Sequence, residues 1–156
     1  GLLLDELYAE LICDGVHVVP EVVRLFGRVK PAARRLLVTD AVAAAGLPAG
    51  RYQVGGRQVV VSAGAARLPD GTLAGSLLTL DRAVQNYRRF TGCTAAEALA
   101  LVTRNPAALL GDRERGRLEA GCRADLVILD AHLRVCATVV GGRLAHIDTG
   151  QDNEGD

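Results

Sequence analysis

Two short apolar segments, each carrying an ionisable side chain at its end, constrain the fold of this chain more than any other feature. Residues 11–17 read Leu-Ile-Cys-Asp-Gly-Val-His and end at His17, and residues 36–41 read Leu-Leu-Val-Thr-Asp-Ala and carry Asp40. A continuous apolar run such as 36–38 is typical of a strand buried on both faces. In an α/β barrel, catalytic side chains follow such strands, at the end where the loops gather. The two segments therefore predict parallel strands with His17 and Asp40 at one barrel mouth.

The residues around these strands predict helices. Apolar side chains at helical spacing in residues 5–12 predict an amphipathic helix. Pro20 suits the first position of a second helix, and Ser76 can cap a third. Thr94 and Glu97 have the spacing of a capping box, which opens a fourth helix. The alternation of helices and strands predicts parallel βα units and an α/β fold.

Two Gly-Gly pairs predict β-hairpins. The pair at 55–56 separates two β-rich runs, and it predicts a hairpin insertion between barrel elements. The pair at 141–142 lies among the short strands expected near the end of the chain. The polar and acidic residues 147–156 are predicted to form a disordered tail.

Composition argues against several classes of partner. The chain has 156 residues, enough for one ordinary domain, and 49% of them are hydrophobic. The 18 basic side chains equal the 18 acidic ones, so we expect no nucleic acid and no membrane partner. No stretch approaches a membrane span. The four cysteines form no CxxC pair and are typical of reduced thiols, so we expect a cytoplasmic protein.

Asp40 is the main candidate for chemistry. A carboxylate at the end of a strand, followed by the small Ala41, can act as a general base on a metal-activated water and return the proton to a departing amine. The alternative is that Asp40 caps a following helix, which is the more common role for this residue type.

The other candidates give weaker signals. A lone histidine such as His17 is more often structural, but its place on the strand before Asp40 favours a site. Asp14 is interpreted as a turn former, because Asp-Gly is strong turn chemistry. Gly75 precedes a predicted helix and can expose N–H groups to a sugar hydroxyl or an anion, although many helices begin this way without a ligand. The sequence offers no plausible cluster of metal ligands.

These segments resemble the C-terminal portion of N-acetylglucosamine-6-phosphate deacetylases, a family of the amidohydrolase superfamily. The resemblance covers nearly the whole chain, and it implies a metal-dependent-hydrolase TIM barrel with a small β-sandwich domain. The segments that carry it are 11–17, 38–41, 71–76, 80–84 and 105–107, with 116–130 shared across many amidohydrolases.

The resemblance also implies a division of the chain. Residues 1–111 would be the C-terminal part of the (β/α)8 barrel, with the β-hairpin insertion at about 50–73. Residues 112–146 would be part of the small β-sandwich domain, followed by the tail at 147–156.

The resemblance further implies an activity. The intact enzyme would deacetylate N-acetylglucosamine 6-phosphate to glucosamine 6-phosphate and acetate by metal-bound hydroxide, with Asp40 as general acid/base. A divalent metal, zinc or iron, would be held by ligands upstream, none of them in this chain, and the intact enzyme would be a homodimer. The residues that would contact the amino-sugar phosphate are Asp14, Gly15, Val16, His17, Leu73, Ala74 and Gly75.

Two alternatives stay open from the sequence. One is another amidohydrolase that acts on a cyclic amide or a different N-acyl substrate. The other is a non-catalytic, truncated module used for binding or assembly. In either of these cases, as in the main interpretation, the isolated chain is expected to be inactive as a deacetylase.

Overall fold

The computed structural model describes residues 2–149 as a mixed α/β structure with three separate sheets. None of the helices in this range is long and apolar enough to cross a membrane. In chain order the elements are β1 Ala9–Ile12, α1 Pro20–Val29, a 3-10 turn Ala32–Arg34, β2 Arg35–Val38, β3 Gly50–Val54, β4 Arg57–Ser62, β5 Ala65–Arg67, α2 Leu80–Thr91, α3 Ala95–Ala100, α4 Arg104–Leu110, β6 Leu126–Leu129, β7 Val135–Val140 and β8 Arg143–Ile147.

A parallel βα unit forms the first part of the chain. Strand β1 pairs with β2 in parallel, from Ala9 opposite Arg35 to Ile12 opposite Val38, and α1 connects them. Pro20 occupies the first turn of α1, as the sequence predicted. The two strands therefore end at the same edge of the sheet, which is the arrangement that the two apolar segments predicted.

The helix predicted over residues 5–12 is wrong. Residues 9–12 form β1, where Leu11 is buried, whereas Leu7 is 46% exposed. A helical face would have required both side chains to lie inward. The predicted spacing came from only a few apolar residues, and pairing with β2 satisfies the backbone groups of β1 instead.

The main core lies between the helices and this two-stranded sheet. Val23 and Phe26 of α1 are buried against Val84 and Tyr87 of α2, and Leu37 of β2 belongs to the same cluster. The helices approach closely because α1 carries a glycine at position 27. A Cβ at that position would lie 3.1 Å from the Tyr87 hydroxyl oxygen.

Two predicted helix starts have different outcomes. Thr94 and Glu97 form the capping box at α3: the Thr94 Oγ1 accepts from the Glu97 N–H, and Glu97 Oε2 accepts from the Thr94 N–H. Ser76 does not cap α2, which begins at Leu80. The Ser76 hydroxyl is buried, donates to the Thr39 carbonyl and accepts the Leu78 N–H, so it is committed to a different contact.

The remaining sheets are antiparallel. Strand β4 lies between β3 and β5, with Gly55 and Gly56 at the β3–β4 turn, and β7 lies between β6 and β8, with Gly141 and Gly142 at the β7–β8 turn. Strand β8 includes Ile147, the first residue of the predicted tail, and residues 150–156 of that tail lie outside the described residues.

Candidate active site

Asp40 lies just beyond the end of β2, exposed to solvent. Its φ of +47° is in the left-handed region, which Asp tolerates better than most side chains. In the described part of the chain, the residues directly after it form a bridge and a turn rather than a helix. The alternative that Asp40 caps a following helix is therefore wrong.

A contact with a distant segment holds the Asp40 backbone. The Asp40 carbonyl oxygen accepts a hydrogen bond of 2.8 Å from the Ser76 N–H, and the Val42 N–H donates to the Ser76 carbonyl at 3.0 Å. These bonds form a parallel bridge between Ala41 and Ser76. The strand end that carries Asp40 is thus extended by one short pairing with a segment that lies 36 residues later in the sequence.

Gly75 is required at this contact. Its φ is +104°, and a Cβ there would lie 2.8 Å from Val42 Cγ1 and 3.0 Å from the Asp40 carbonyl oxygen. The same position is 4.0 Å from Asp40 Oδ2, so Gly75 lies beside the carboxylate. Of the predicted sugar-contacting segment, Ala74 already donates its N–H to the Ala66 carbonyl, and Leu73 bridges Arg67.

Asp14 and His17 form a compact pair in the loop after β1. Asp14 Oδ2 lies 2.6 Å from His17 Nδ1, and Asp14 Oδ1 accepts the N–H groups of Val16 and His17, each at 2.8 Å. The side chains of His17 and Asp14 are 17% and 12% exposed. Asp14 is therefore a turn former, as predicted, and it also fixes the orientation of the His17 ring.

The pair has a defined electrostatic state. Burial raises the pKa of Asp14, but the hydrogen bonds from the His17 ring and from the two backbone N–H groups outweigh it, so the pKa lies below its usual value. An ionised Asp14 favours a proton on His17 Nδ1, so that Nε2 takes no part in this hydrogen bond. Gly15, with φ +78°, allows the tight turn, and Val16 is exposed.

Asn86 is a positioning residue that the sequence did not reveal. It lies on α2, and its Nδ2 donates to the Cys13 carbonyl at 2.9 Å, directly before Asp14. The only signal in the sequence was an asparagine within a predicted amphipathic helix. Such a residue does not identify a hydrogen-bond partner 73 residues away.

The described residues do not fit a metal ion. Within residues 2–149 there is no group of three or more His, Cys, Asp or Glu side chains that could hold one. Cys13 lies next to the Asp14–His17 pair, but burial raises the pKa of its thiol to about 12, so it stays protonated and is a poor ligand.

Replacing Asp14 by Asn tests the Asp14–His17 pair through the pH dependence of stability. Because the pKa of Asp14 is lower in the folded chain than in the unfolded one, the ionised carboxylate stabilises the fold above the unfolded pKa. That stabilisation is lost as the pH falls through the folded pKa. The free energy of unfolding, measured with urea, should therefore fall more for the wild-type chain than for Asp14→Asn as the pH drops below about 4.

The matched control for this prediction is Asp5→Asn. Asp5 is exposed and makes no hydrogen bond or ion pair with any residue that the structure describes. The control should follow the wild-type pH profile. Identical profiles for wild type and Asp14→Asn would contradict the assigned hydrogen bonds to the Asp14 carboxylate.

Comparison with known proteins places these features in a family. A sequence model of the amidohydrolase family matches residues 71–146. An N-acetylglucosamine-6-phosphate deacetylase of Lysinibacillus sphaericus is 42% identical over 143 residues, which are 92% of this chain and 37% of that protein. A putative N-acetylgalactosamine-6-phosphate deacetylase of Escherichia coli K12 is 42% identical over 146 residues, 93% of this chain and 87% of that protein.

A solved structure agrees with the sequence relatives. The crystal structure of N-acetylglucosamine-6-phosphate deacetylase from Thermotoga maritima matches with a TM-score of 0.90 and 46% identity, covering 94% of this chain and 40% of that one. The chain thus spans 37% to 40% of the Lysinibacillus and Thermotoga proteins and most of the shorter Escherichia coli one.

Proposed function

The chain belongs to the N-acetylglucosamine-6-phosphate deacetylase family of amidohydrolases, and on that premise we propose that it supplies the catalytic carboxylate and part of the sugar pocket of such an enzyme. The reaction is hydrolysis of N-acetylglucosamine 6-phosphate to glucosamine 6-phosphate and acetate. One observation carries the proposal: Asp40 and the Asp14–His17 pair follow adjacent parallel strands that end at the same sheet edge.

Asp40 is the proposed general acid/base. It accepts a proton from the attacking water as the water oxygen bonds to the acetamide carbonyl carbon. It then donates that proton to the amide nitrogen as the C–N bond breaks, which yields acetate and the free amine. The Asp40 side chain is exposed to solvent, so a substrate can approach it.

The proposed sugar contacts come from the two loops. His17 is the principal side chain, with Asp14 holding its ring, and Gly15 and Val16 line the sugar with backbone and small apolar groups. The segment Leu73, Ala74 and Gly75 contributes backbone groups on the other side of Asp40. The Ala74 N–H is already bonded within the protein, so its carbonyl and the Gly75 N–H are the groups we assign to the sugar.

Amidohydrolases are typically metal-dependent, and the described residues do not fit a metal ion. We therefore assign the ligands of a zinc or iron ion to protein segments other than residues 2–149, and we expect the isolated 156-residue chain to be inactive. In the proposed enzyme, residues 1–111 complete a (β/α)8 barrel with the hairpin insertion at about 50–73, and residues 112–146 complete a small β-sandwich domain. We propose a cytoplasmic homodimer for the intact enzyme.

A chimera tests the proposed function. In the chimera, this chain replaces the matching segment of the Thermotoga maritima deacetylase. The release of acetate and glucosamine 6-phosphate is then measured. We expect the chimera to hydrolyse N-acetylglucosamine 6-phosphate, and we expect the 156-residue chain alone not to do so. A chimera that unfolds cooperatively on heating but lacks activity would overturn the proposal in favour of a non-catalytic binding module.

A second candidate substrate is N-acetylgalactosamine 6-phosphate. It is favoured by the Escherichia coli relative, which is named for that sugar and most of whose length this chain spans. Comparing kcat/KM of the chimera for the two sugar phosphates separates the candidates. Cyclic amides tested in the same assay address the remaining amidohydrolase alternative.

A further inference from the structure

Two neighbouring cavities lie beside α2 and share lining residues. The larger, of about 390 Å³, lies between the C-terminal half of α2 and the turn that connects β6 to β7. The smaller, of about 210 Å³, lies between the C-terminal halves of α1 and α2. Gly92 and Cys93 line both cavities. We call the two adjoining cavities together the arginine cleft, and its basic side chains are Arg24, Arg28, Arg35, Arg88, Arg89 and His132.

The arginine cleft concentrates positive charge on a chain that is neutral overall. The one acidic residue among those that line the two described cavities is Glu97. Its Oε2 accepts hydrogen bonds from the Thr94 N–H at 2.8 Å and from Thr94 Oγ1 at 2.7 Å. That carboxylate is thus largely used by the cap of α3. Arg24 is paired with Glu21 at 2.9 Å, whereas none of the other cleft arginines forms an ion pair within residues 2–149. A concave surface with one sign of charge attracts ligands of the opposite sign.

The arginines differ in how they are held. The Arg35 Nε donates to the Lys30 carbonyl at 2.6 Å, and the Arg89 guanidinium lies over the Phe90 ring at 4.8 Å. These two are fixed in orientation before any ligand binds. Arg28 and Arg88 make no side-chain hydrogen bond or ion pair with any residue from 2 to 149, so their guanidinium groups are available to a ligand. Planar guanidinium groups bind phosphoryl oxygens in pairs.

The part of the arginine cleft that is lined by Arg35 lies away from Asp40. Arg35 is the first residue of β2, whereas Asp40 follows its last residue. At about 3.3 Å per residue, the three steps from Arg35 to Val38 span roughly 10 Å, and Asp40 lies two residues beyond Val38. A ligand beside Arg35 therefore lies at the opposite end of β2 from the Asp40 carboxylate. Arg89, which lines the other cavity, donates to Asn86 Oδ1 at 3.2 Å, so that part of the cleft lies nearer to the loop of Asp14 and His17.

We propose that the arginine cleft binds a small ligand that carries a diphosphate group. Two adjoining cavities, one with arginines of α2 and the other with arginines of α1 and β2, suit two linked phosphoryl groups better than one. The combined space is of the size that holds small molecules in proteins. Free pyrophosphate and the diphosphate of a nucleotide share this chemistry.

Calorimetric titration of the 156-residue chain with inorganic pyrophosphate, ADP and inorganic phosphate tests the proposal at low ionic strength. We expect pyrophosphate or ADP to bind more tightly than phosphate. The double variant Arg28→Gln/Arg88→Gln should weaken that binding about tenfold or more, because it removes two charged donors. Tighter binding of ADP would identify a nucleotide as the source of the diphosphate, and equal or weaker binding would identify free pyrophosphate.

The matched control is Arg51→Gln/Arg57→Gln, which removes the same charge from the exposed β3–β4 hairpin. It should leave the dissociation constant unchanged. An equal loss in both double variants, phosphate binding as tight as pyrophosphate binding, or no binding of either diphosphate at millimolar concentration would overturn the proposal.

A second measurement does not depend on the folding of a variant. Cys93 lines both cavities, whereas Cys122 and Cys136 line neither of them, and all three are partly exposed. Pyrophosphate should slow alkylation of Cys93 by iodoacetamide, read by mass spectrometry of the peptides, and should leave the other two rates unchanged. Equal rates at Cys93 with and without pyrophosphate would contradict occupancy of the cleft.

Discussion

Asp40→Asn is expected to lower kcat for deacetylation by about 10³-fold in the Thermotoga chimera, with little change in KM. The amide of Asn has the shape of the carboxylate but cannot accept a proton from water or return one to the leaving nitrogen. The proposed role of Asp40 is confined to these proton transfers, so substrate binding should persist. Steady-state kinetics with N-acetylglucosamine 6-phosphate gives both parameters.

Two comparisons make this prediction specific. Asp5→Asn makes the same chemical change at an exposed position far from β2 in the chain, and it should keep the full kcat. Thermal unfolding of both variants should match that of the parent chimera, since Asp40 makes no side-chain hydrogen bond within residues 2–149. A loss of less than tenfold in kcat would assign the proton transfers to another group.

The position of Asp40 was predictable because a local pattern encodes it. An apolar run bounded by a polar residue predicts a buried strand and its end, and pairing of β1 with β2 confirmed the parallel arrangement. The same kind of reasoning failed for residues 5–12, where a few apolar residues fit a helix and a strand equally well. Backbone pairing with β2 decided the outcome, and that partner lies 26 residues away in the sequence.

The role of residues 75–76 was not predictable for a related reason. From the sequence, Gly75 and Ser76 fit the start of a helix, since both residue types are common there. In the structure Ser76 is buried and pairs with the end of β2, and α2 begins only at Leu80. A contact between segments 36 residues apart leaves no local periodicity, so only the three-dimensional structure shows that Gly75 lies against Asp40.

Gly75→Ala is expected to destabilise the 156-residue chain by about 3 kcal/mol. The alanine would have to adopt a φ of +104°. Its Cβ would lie 3.0 Å from the Asp40 carbonyl oxygen, a backbone atom that cannot rotate away. Gly46→Ala is the matched control, with φ +82° and no described atom within 4 Å of its Cβ apart from its own neighbours in the chain. Gly46→Ala should lower the free energy of unfolding by only about 1 kcal/mol, because it adds backbone strain without a steric clash.

Urea unfolding of both glycine variants measures this difference, and equal losses would show that the contact with Asp40 is not tight. The same substitution connects stability to the proposed chemistry. Moving the Asp40 carbonyl displaces its carboxylate, so Gly75→Ala in the chimera should also lower kcat, whereas Gly46→Ala should not. In the Asp40→Asn background the further loss in kcat from Gly75→Ala should vanish, because two changes that act through one carboxylate are not additive. Additive losses would mean that Gly75→Ala acts by disturbing the proposed contact of the Gly75 N–H with the sugar, and not by moving Asp40.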